Sequence, residues 1–486
     1  MGLAGGPDTP VSAAETGKAD PENVIKDNLC RIRARYFGGS HVTFADIDLA
    51  RLLVALAVLL IAAHGMGSLF ARFGQPPAIG EILGGILLGP TALAAVFPSV
   101  QRWVFPGAGM PAAALGAVYQ LGLLLLMFAA GAEMRRLLQR DAVRTVGLIA
   151  SFGLVLPFAA GLGLVAALGA GDFIGTAGNR TALMLVFGMA VAVTSIPVIS
   201  RIMHDVGLLP TRFARIVLSA AVIEDIVLYI VLAVAVGLVQ TGGSGAFGIP
   251  AAMHVHTIAQ NSVYHTIVAV IFLGVALGFG GGVYQALTAL RANVLARRSP
   301  VAFQLLWMLF MSATALALGL VPLYGAFAAG IAVAVADHSL IVRDRNALAG
   351  ISFGFFIPVY FALIGIQLDL IHEFRPLFFL GFLAFACVAK AVSVYGGARL
   401  SRENRFTSAS LAIAMNARGG PGIVLASTAY AAGIINQAFF VSLVMLSVVT
   451  SLLAGSWLER IATRLGAPQP QREHASAELA GELGTT

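Results

Sequence analysis

Two adjacent acids, Glu224 and Asp225, stand at the centre of the apolar run Ala220-Ala221-Val222-Ile223-Glu224-Asp225-Ile226-Val227. An aspartate at the middle of a membrane helix costs on the order of 3 kcal/mol to insert. Two acids in sequence therefore do not belong on a lipid-facing surface, and each calls for a partner, a proton or a cation. Neighbouring residues point ~100° apart around a helix, so one carboxylate can face a solvent route and the other a protein partner. The chemistry that suits such a pair is the binding and release of protons or small cations. A pair held statically by hydrogen bonds is the structural alternative.

A basic partner is available. The chain has three lysines, Lys18, Lys26 and Lys390, and of these only Lys390 falls within an apolar run. A lysine in an apolar setting can give up its proton, whereas an arginine keeps it. A Glu–Lys pair that forms and breaks is thus one reading of Lys390, and a fixed ion pair between helices is the other.

Two interruptions lie in other apolar runs. In Thr194-Ser195-Ile196-Pro197 the proline lacks a donor and clashes with the carbonyl four residues earlier, which predicts free backbone oxygens around Val193 and Thr194. Gly419-Gly420-Pro421-Gly422 follows Asn416 and Arg418. Paired interruptions of this kind point to a binding site at mid-membrane. Thr194 and Ser195 would add oxygens to Asp225 there, and an ordinary proline kink is the plainer reading of each break. Glu81, Glu133, Asn416 and Arg418 are candidates for support. Glu81 follows Gln75-Pro76-Pro77 near a helix start, where the positive helix end suits a carboxylate. Glu133 sits at a helix end beside Arg135 and Arg136.

The elements that position these groups follow from composition. The 486 residues are 58% hydrophobic and 11% charged, with a mean hydropathy of +0.89. Soluble domains carry roughly 25% charged residues, so an all-α polytopic membrane protein is expected. About thirteen apolar spans are predicted, near 49–72, 78–97, 112–134, 143–169, 179–203, 211–239, 261–290, 300–319, 321–337, 350–370, 376–400, 408–430 and 436–457. A polar N-terminal tail, 1–48, and a polar C-terminal tail, 458–486, flank the transmembrane region 49–457. The polar opening predicts no cleavable leader. Cys30 and Cys387 give no disulfide framework or metal-ligand spacing.

The net charge of +7 reports topology rather than a nucleic-acid partner. Arginines gather in odd-numbered loops, as with Arg135, Arg136, Arg140 and Arg144, while the even loops hold only Arg102, Arg180 and Arg375. By the positive-inside rule the odd loops are cytoplasmic, which puts the N-terminus outside and the C-terminus inside. Arg31, Arg33 and Arg35 in the first tail run against that assignment.

An internal repeat is also visible. Gly80-Glu81-Ile82-Leu83-Gly84-Gly85-Ile86 resembles Gly325-Ala326-Phe327-Ala328-Ala329-Gly330-Ile331, and Phe128 to Glu133 echoes Phe361 to Gln367. Each pair is seven spans apart, so the copies run in opposite directions. Inverted repeats with two discontinuous crossing helices, the fifth and twelfth spans, are the expected architecture.

These motifs together resemble the cation:proton antiporter superfamily, its Kef- and Nap-like branch of sodium/hydrogen exchangers. The resemblance rests on Gln75 to Pro90, Gly122 to Glu133, Thr194 to Pro197 with Arg201 and Gly207-Leu208-Leu209, and Met415 to Gly419. It implies a secondary transporter exchanging a monovalent cation, Na⁺ or K⁺, for protons by alternating access, in a homodimer at the cell membrane. It further implies core helices at about 143–239 and 376–457, dimer-domain helices at about 49–134 and 300–370, and a linker helix at 261–290. By resemblance Asp225 matches the ion-binding acid, Glu224 replaces the usual aspartate before it, and Lys390 matches the lysine that pairs with that first acid. Gly420-Pro421-Gly422 departs from the pattern of relatives. No cofactor, no enzyme activity and no metal beyond the transported cation are expected, and no strand-then-GxGxxG nucleotide motif follows the last span. A same-fold carrier of an organic solute, a gated cation channel and a membrane sensor are the rival readings.

Overall fold

The computed structural model describes residues 45–73, 75–137, 143–169, 171–209, 211–239, 258–335 and 348–465. The compact unit that carries the site begins at Arg51. The principal helices of the described residues, in chain order, are α1 (Asp46–Arg72), α2 (Pro77–Leu88), α3 (Met110–Leu137), α4 (Val143–Leu168), α5 (Arg180–Ala192), α6 (Ile196–Asp205), α7 (Arg212–Gly237) and α8 (Ile258–Val275). The second half continues with α9 (Gly281–Ala289), α10 (Pro300–Ala317), α11 (Pro322–Val335), α12 (Ile357–Ile366), α13 (Pro376–Leu400), α14 (Arg405–Ala414), α15 (Gly419–Ala431) and α16 (Gln437–Ile461). No β-strand is present among the described residues, and the fold is all-α.

Ten helical stretches among the described residues are long and apolar enough to cross a membrane. Helices are the answer because hydrocarbon offers no partner to an exposed N–H or C=O. Burial separates them into two kinds. The most apolar windows of α7 and α16 are 72% and 78% buried, against 22% for α1. The helix bearing Glu224 and Asp225 is therefore wrapped by protein, while α1 presents most of its surface outward.

Residues that match in the internal repeat make matching contacts. A side chain at Gly80 would run into the Met66 carbonyl of α1, and one at Gly325 into the Met311 carbonyl of α10. Gly85 lies against the Ala362 carbonyl of α12, and its counterpart Gly330 against the Phe128 carbonyl of α3. Small residues at such crossings let membrane helices approach backbone to backbone.

The two interruptions are real, and both precede their prolines. Between α5 and α6, Val193, Thr194 and Ser195 leave the helix, and Pro197 takes the second position of α6. Between α14 and α15 the non-helical stretch is Met415–Arg418, so Gly419, Gly420 and Pro421 form the first turn of α15 rather than the break itself. The first N–H groups of a helix have no partner within it, so a proline in that turn forfeits no hydrogen bond. The side chain of Pro197 lies outside the described residues, as does that of Glu133.

The interrupted segments meet each other. Ser195 N donates to Ala417 O at 2.6 Å, and Thr194 Oγ1 donates to Met415 O at 2.7 Å. Further along, the segment leading into α5 pairs antiparallel with the one leaving α15. Gly175 N donates to Ile434 O at 3.0 Å and Ala177 N to Gly433 O at 2.9 Å. Asn179 and Asn436 cap α5 and α16 from this same region, each accepting from a backbone N–H at 3.0 Å.

Candidate functional site

The site is built where α7 passes the crossing of the broken helices. Glu224 and Asp225 are each 1% exposed, and Lys390 of α13 is fully buried. Lys390 Nζ stands 2.7 Å from Glu224 Oε2. It donates also to Gly153 O of α4 at 2.8 Å and to Ala192 O of α5 at 2.5 Å. Three acceptors match the three protons of an ammonium, so the lysine is saturated in this arrangement.

The helix end at Ala192 explains why a cation is wanted there. Its last carbonyls lack intrahelical partners and carry the negative end of the helix dipole. Lys390 takes Ala192 O, and Arg418 takes the two before it. Arg418 Nε donates to Ala190 O at 3.1 Å and Nη2 to Val191 O at 3.0 Å. Nη2 also reaches Ala386 O of α13 at 2.9 Å, and Nη1 reaches both oxygens of Asn416 at 3.1 Å. Asn416 Nδ2 turns back to Ala412 O at 3.0 Å. The carbonyls of Ala190 to Ala192, immediately before the break, are thus satisfied by two cations from the other half of the chain.

Asp225 differs from its neighbour. Neither of its oxygens has a hydrogen-bond partner in the protein, and Glu224 Oε1 and the Tyr229 hydroxyl are in the same condition. Tyr229 lies one turn beyond Asp225 on the same face of α7. Its ring centroid is 4.6 Å from that of Phe327 on α11. The Tyr360 hydroxyl of α12, by contrast, has a partner, lying 3.2 Å from Ser427 Oγ of α15. Sequence reasoning missed Tyr229, although its spacing of four from Asp225 was there to be read.

The remaining candidates fall in two places. Thr194, Ser195, Asn416 and Arg418 are brought together at the crossing with the acid pair, and Gly419 N donates to Ser451 Oγ of α16 at 3.1 Å. Ser195 Oγ accepts from Val198 N at 3.4 Å and so caps α6. Glu81 sits instead at the α1–α2 contact, where a β-carbon on Gly67 would be 3.3 Å from its Cγ. No group of three or more His, Cys, Asp or Glu residues that could hold a metal is found among the described residues. Counted as formal charges, Glu224, Asp225, Lys390 and Arg418 cancel when all are ionised. A monovalent cation on Asp225 would add one positive charge to that balance, and a proton would do the same.

The family model described as "Sodium/hydrogen exchanger, transmembrane" matches residues 55–464. The chain belongs to the sodium/hydrogen exchanger family. It is 25% identical over 424 residues to the Na(+)/H(+) antiporter NhaS4 of Synechocystis, covering 86% of this chain and 98% of that protein. The Na(+)/H(+)-K(+) antiporter GerN of Bacillus cereus is 26% identical, with 83% and 94% covered. The K(+)/H(+) antiporter 1 of Saccharomyces cerevisiae is 27% identical over 82% of this chain, but this exchanger spans only 45% of the yeast protein. The Cation/H(+) antiporter 20 of Arabidopsis thaliana is likewise matched over about half its length, 47%. The fold is that of the sodium proton antiporter MjNhaP1 from Methanocaldococcus jannaschii, with a TM-score of 0.59 at 14% identity over 86% of this chain and all of that one.

Proposed function

We propose that this exchanger moves a monovalent cation, Na⁺ or K⁺, across the membrane in exchange for protons, and that Asp225 is the group that holds either. The observation carrying this reading is the Asp225 carboxylate: buried at mid-helix, beside two crossing half-helices, with both oxygens outside the protein's own hydrogen bonds. A buried carboxylate without partners is costly, and a dehydrated cation or a proton removes that cost. Because the two compete for one group, loading one releases the other. The relatives named as Na⁺/H⁺ and K⁺/H⁺ antiporters support the same chemistry.

Glu224 and Lys390 act as the responding pair, which loosens or tightens as the charge on Asp225 changes. Arg418 holds the end of α5 in place throughout. The helices α4–α7 and α13–α16 move as a core that carries the site, against a dimer-forming set comprising α1–α3 and α10–α12, with α8 and α9 as the link. Two copies associate in the cell membrane, with the N-terminus outside and the C-terminus cytoplasmic as the arginine-rich loops indicate.

The test is transport by the Asp225→Asn variant in proteoliposomes under an imposed pH gradient. Cation-dependent proton movement should vanish while the protein keeps its fold. Undiminished movement with Na⁺, K⁺, Li⁺ or Rb⁺ would sink the assignment.

A further inference from the structure

The end of α7, the start of α5 and the end of α15 lie at one face of the molecule. Asn179, which caps α5, donates to Leu238 O at the end of α7 at 3.2 Å, and Gly175 and Ala177 pair with the segment leaving α15. Between Asp225 and that face, Tyr229 stands about 6 Å further along α7, its ring against Phe327 of α11. Ser427 stands on α15 about 12 Å beyond Gly419. Its Oγ donates to Val424 O of its own helix at 3.2 Å, so its one proton is used and its two lone pairs are left for donors. The Tyr360 hydroxyl of α12 takes one at 3.2 Å. Tyr119 of α3 turns its hydroxyl to the same serine, with its ring centroid 5.0 Å from that of Tyr360. Tyr229, Tyr360 and Ser427 are 1%, 0% and 3% exposed, so water does not reach them from that face.

We propose that Tyr119, Tyr360 and Ser427 are the outer gate of the exchanger, a neutral latch that closes the passage between Asp225 and the face where α15 ends. The loops at that face are the ones poor in arginine, which makes it the outside. The latch joins α15 of the moving core to α3 and α12 of the dimer-forming set, so the core cannot open outward without breaking it. Uncharged partners suit that task. A neutral hydrogen bond favours the closed state by only about fivefold, weak enough to part in every cycle. Once parted, the three hydroxyls are neutral oxygens that let a cation pass without trapping it as a carboxylate would. This inference deepens the exchange reading and rests on its two helix sets. Its test reads access to the site rather than transport, so failure of the gate and failure of the exchange chemistry are told apart.

The experiment uses the full chain with Cys30→Ser and Cys387→Ser, and reads a thiol carried by Asp225→Cys. Right-side-out and inside-out membrane vesicles are treated with an impermeant trimethylammonium-ethyl methanethiosulfonate, and the labelling rate is followed. Tyr360→Phe should speed labelling from the outside about fivefold, the worth of one neutral hydrogen bond. Ser427→Ala, which loses both phenols, should speed it at least as much, and adding Tyr360→Phe to it should change nothing further. Labelling from the cytoplasmic side should not rise in any of these. An unchanged outside rate would overturn the proposal. So would a rise from the cytoplasmic side alone, or an equal rise from both sides, which would mean general loosening. Should Asp225→Cys fail to fold, Tyr229→Cys carries the thiol behind the same gate, with the same outcomes for and against.

Discussion

Gly153 of α4 leaves the room that Glu224 of α7 fills: a β-carbon on Gly153 would stand 2.7 Å from Oε1 of that carboxylate. The same glycine gives its carbonyl to Lys390. One small residue thus both admits the acid and holds its partner. Glu224 is the position where resemblance to relatives leads one to expect the shorter aspartate, and Gly153 supplies the space that the longer arm occupies.

Gly153→Ala should therefore displace Glu224 and cost about 1–3 kcal/mol, the usual range for overpacking. Glu224→Asp in the same chain should recover most of that loss, because the shorter acid withdraws from the added methyl. A thermal-unfolding double-mutant cycle measures it, and strictly additive losses would show that the two residues do not share the space.

Removing Lys390 alone leaves an acid buried without its cation and strands the carbonyls of Gly153 and Ala192. Lys390→Met should cost about 3–5 kcal/mol, as breaking a buried pair does. The double variant Lys390→Met, Glu224→Gln should be markedly more stable than the single one, though it still lacks Lys390's donors to Gly153 O and Ala192 O. Denaturant unfolding of both in the same detergent gives the comparison.

Arg418→Lys keeps the charge and loses the fork. A lysine cannot span the carbonyls of Ala190, Val191 and Ala386 together with Asn416, because its three donors radiate from one atom. A loss of about 2 kcal/mol or more is expected from stranded buried carbonyls. Hydrogen exchange should quicken first at the end of α5, and unchanged protection there would contradict the role given to Arg418.

Tyr229→Phe deletes a hydroxyl that has no partner in the protein, so the Tm should hold or rise slightly. Transport should respond instead. If the hydroxyl meets the cation beside Asp225, the apparent KM should rise by up to about tenfold, the worth of one hydrogen bond to a charged group, with the maximal rate little changed. Rate measurements across Na⁺, K⁺ and Li⁺ check this, and an unaltered KM for all three removes Tyr229 from the cation's path.

Competition for Asp225 has its own signature. Over the acidic range, each fall of one pH unit should raise the apparent KM for the cation about tenfold while leaving the maximal rate constant, as linkage between two ligands of one group requires. Rates measured at equal pH on both sides of the membrane isolate this effect from the driving force.

Much of this was legible in the residues. Continuous apolar runs announce membrane helices because hydrocarbon tolerates little else, and Glu224, Asp225 and Lys390 stand out because charges are rare there. The breaks were legible as places but not as geometry. Pro197 and Pro421 each mark the start of a new helix instead of the gap before it, since a proline in a first turn sacrifices no bond. Which carbonyls at the end of α5 are satisfied depends on cations more than 190 residues away in sequence, here Lys390 and Arg418. Gly153 was invisible for another reason. Among 55 glycines, one that makes space for a carboxylate looks like any other until its neighbour is known.

The antiparallel pairing of residues 173–178 with 433–436 has a mechanical consequence. It staples the start of α5 to the end of α15 through backbone bonds and the Asn436 side chain, which donates to Asp172 O at 2.7 Å, with Gly175 seated against the Gly433 and Ile435 carbonyls. The crossing helices are therefore pinned like scissor blades at one end. The crossing is a second rivet, through Ser195 N on Ala417 O and Thr194 Oγ1 on Met415 O, so the tips of α6 and α14 are the ends farthest from either tie.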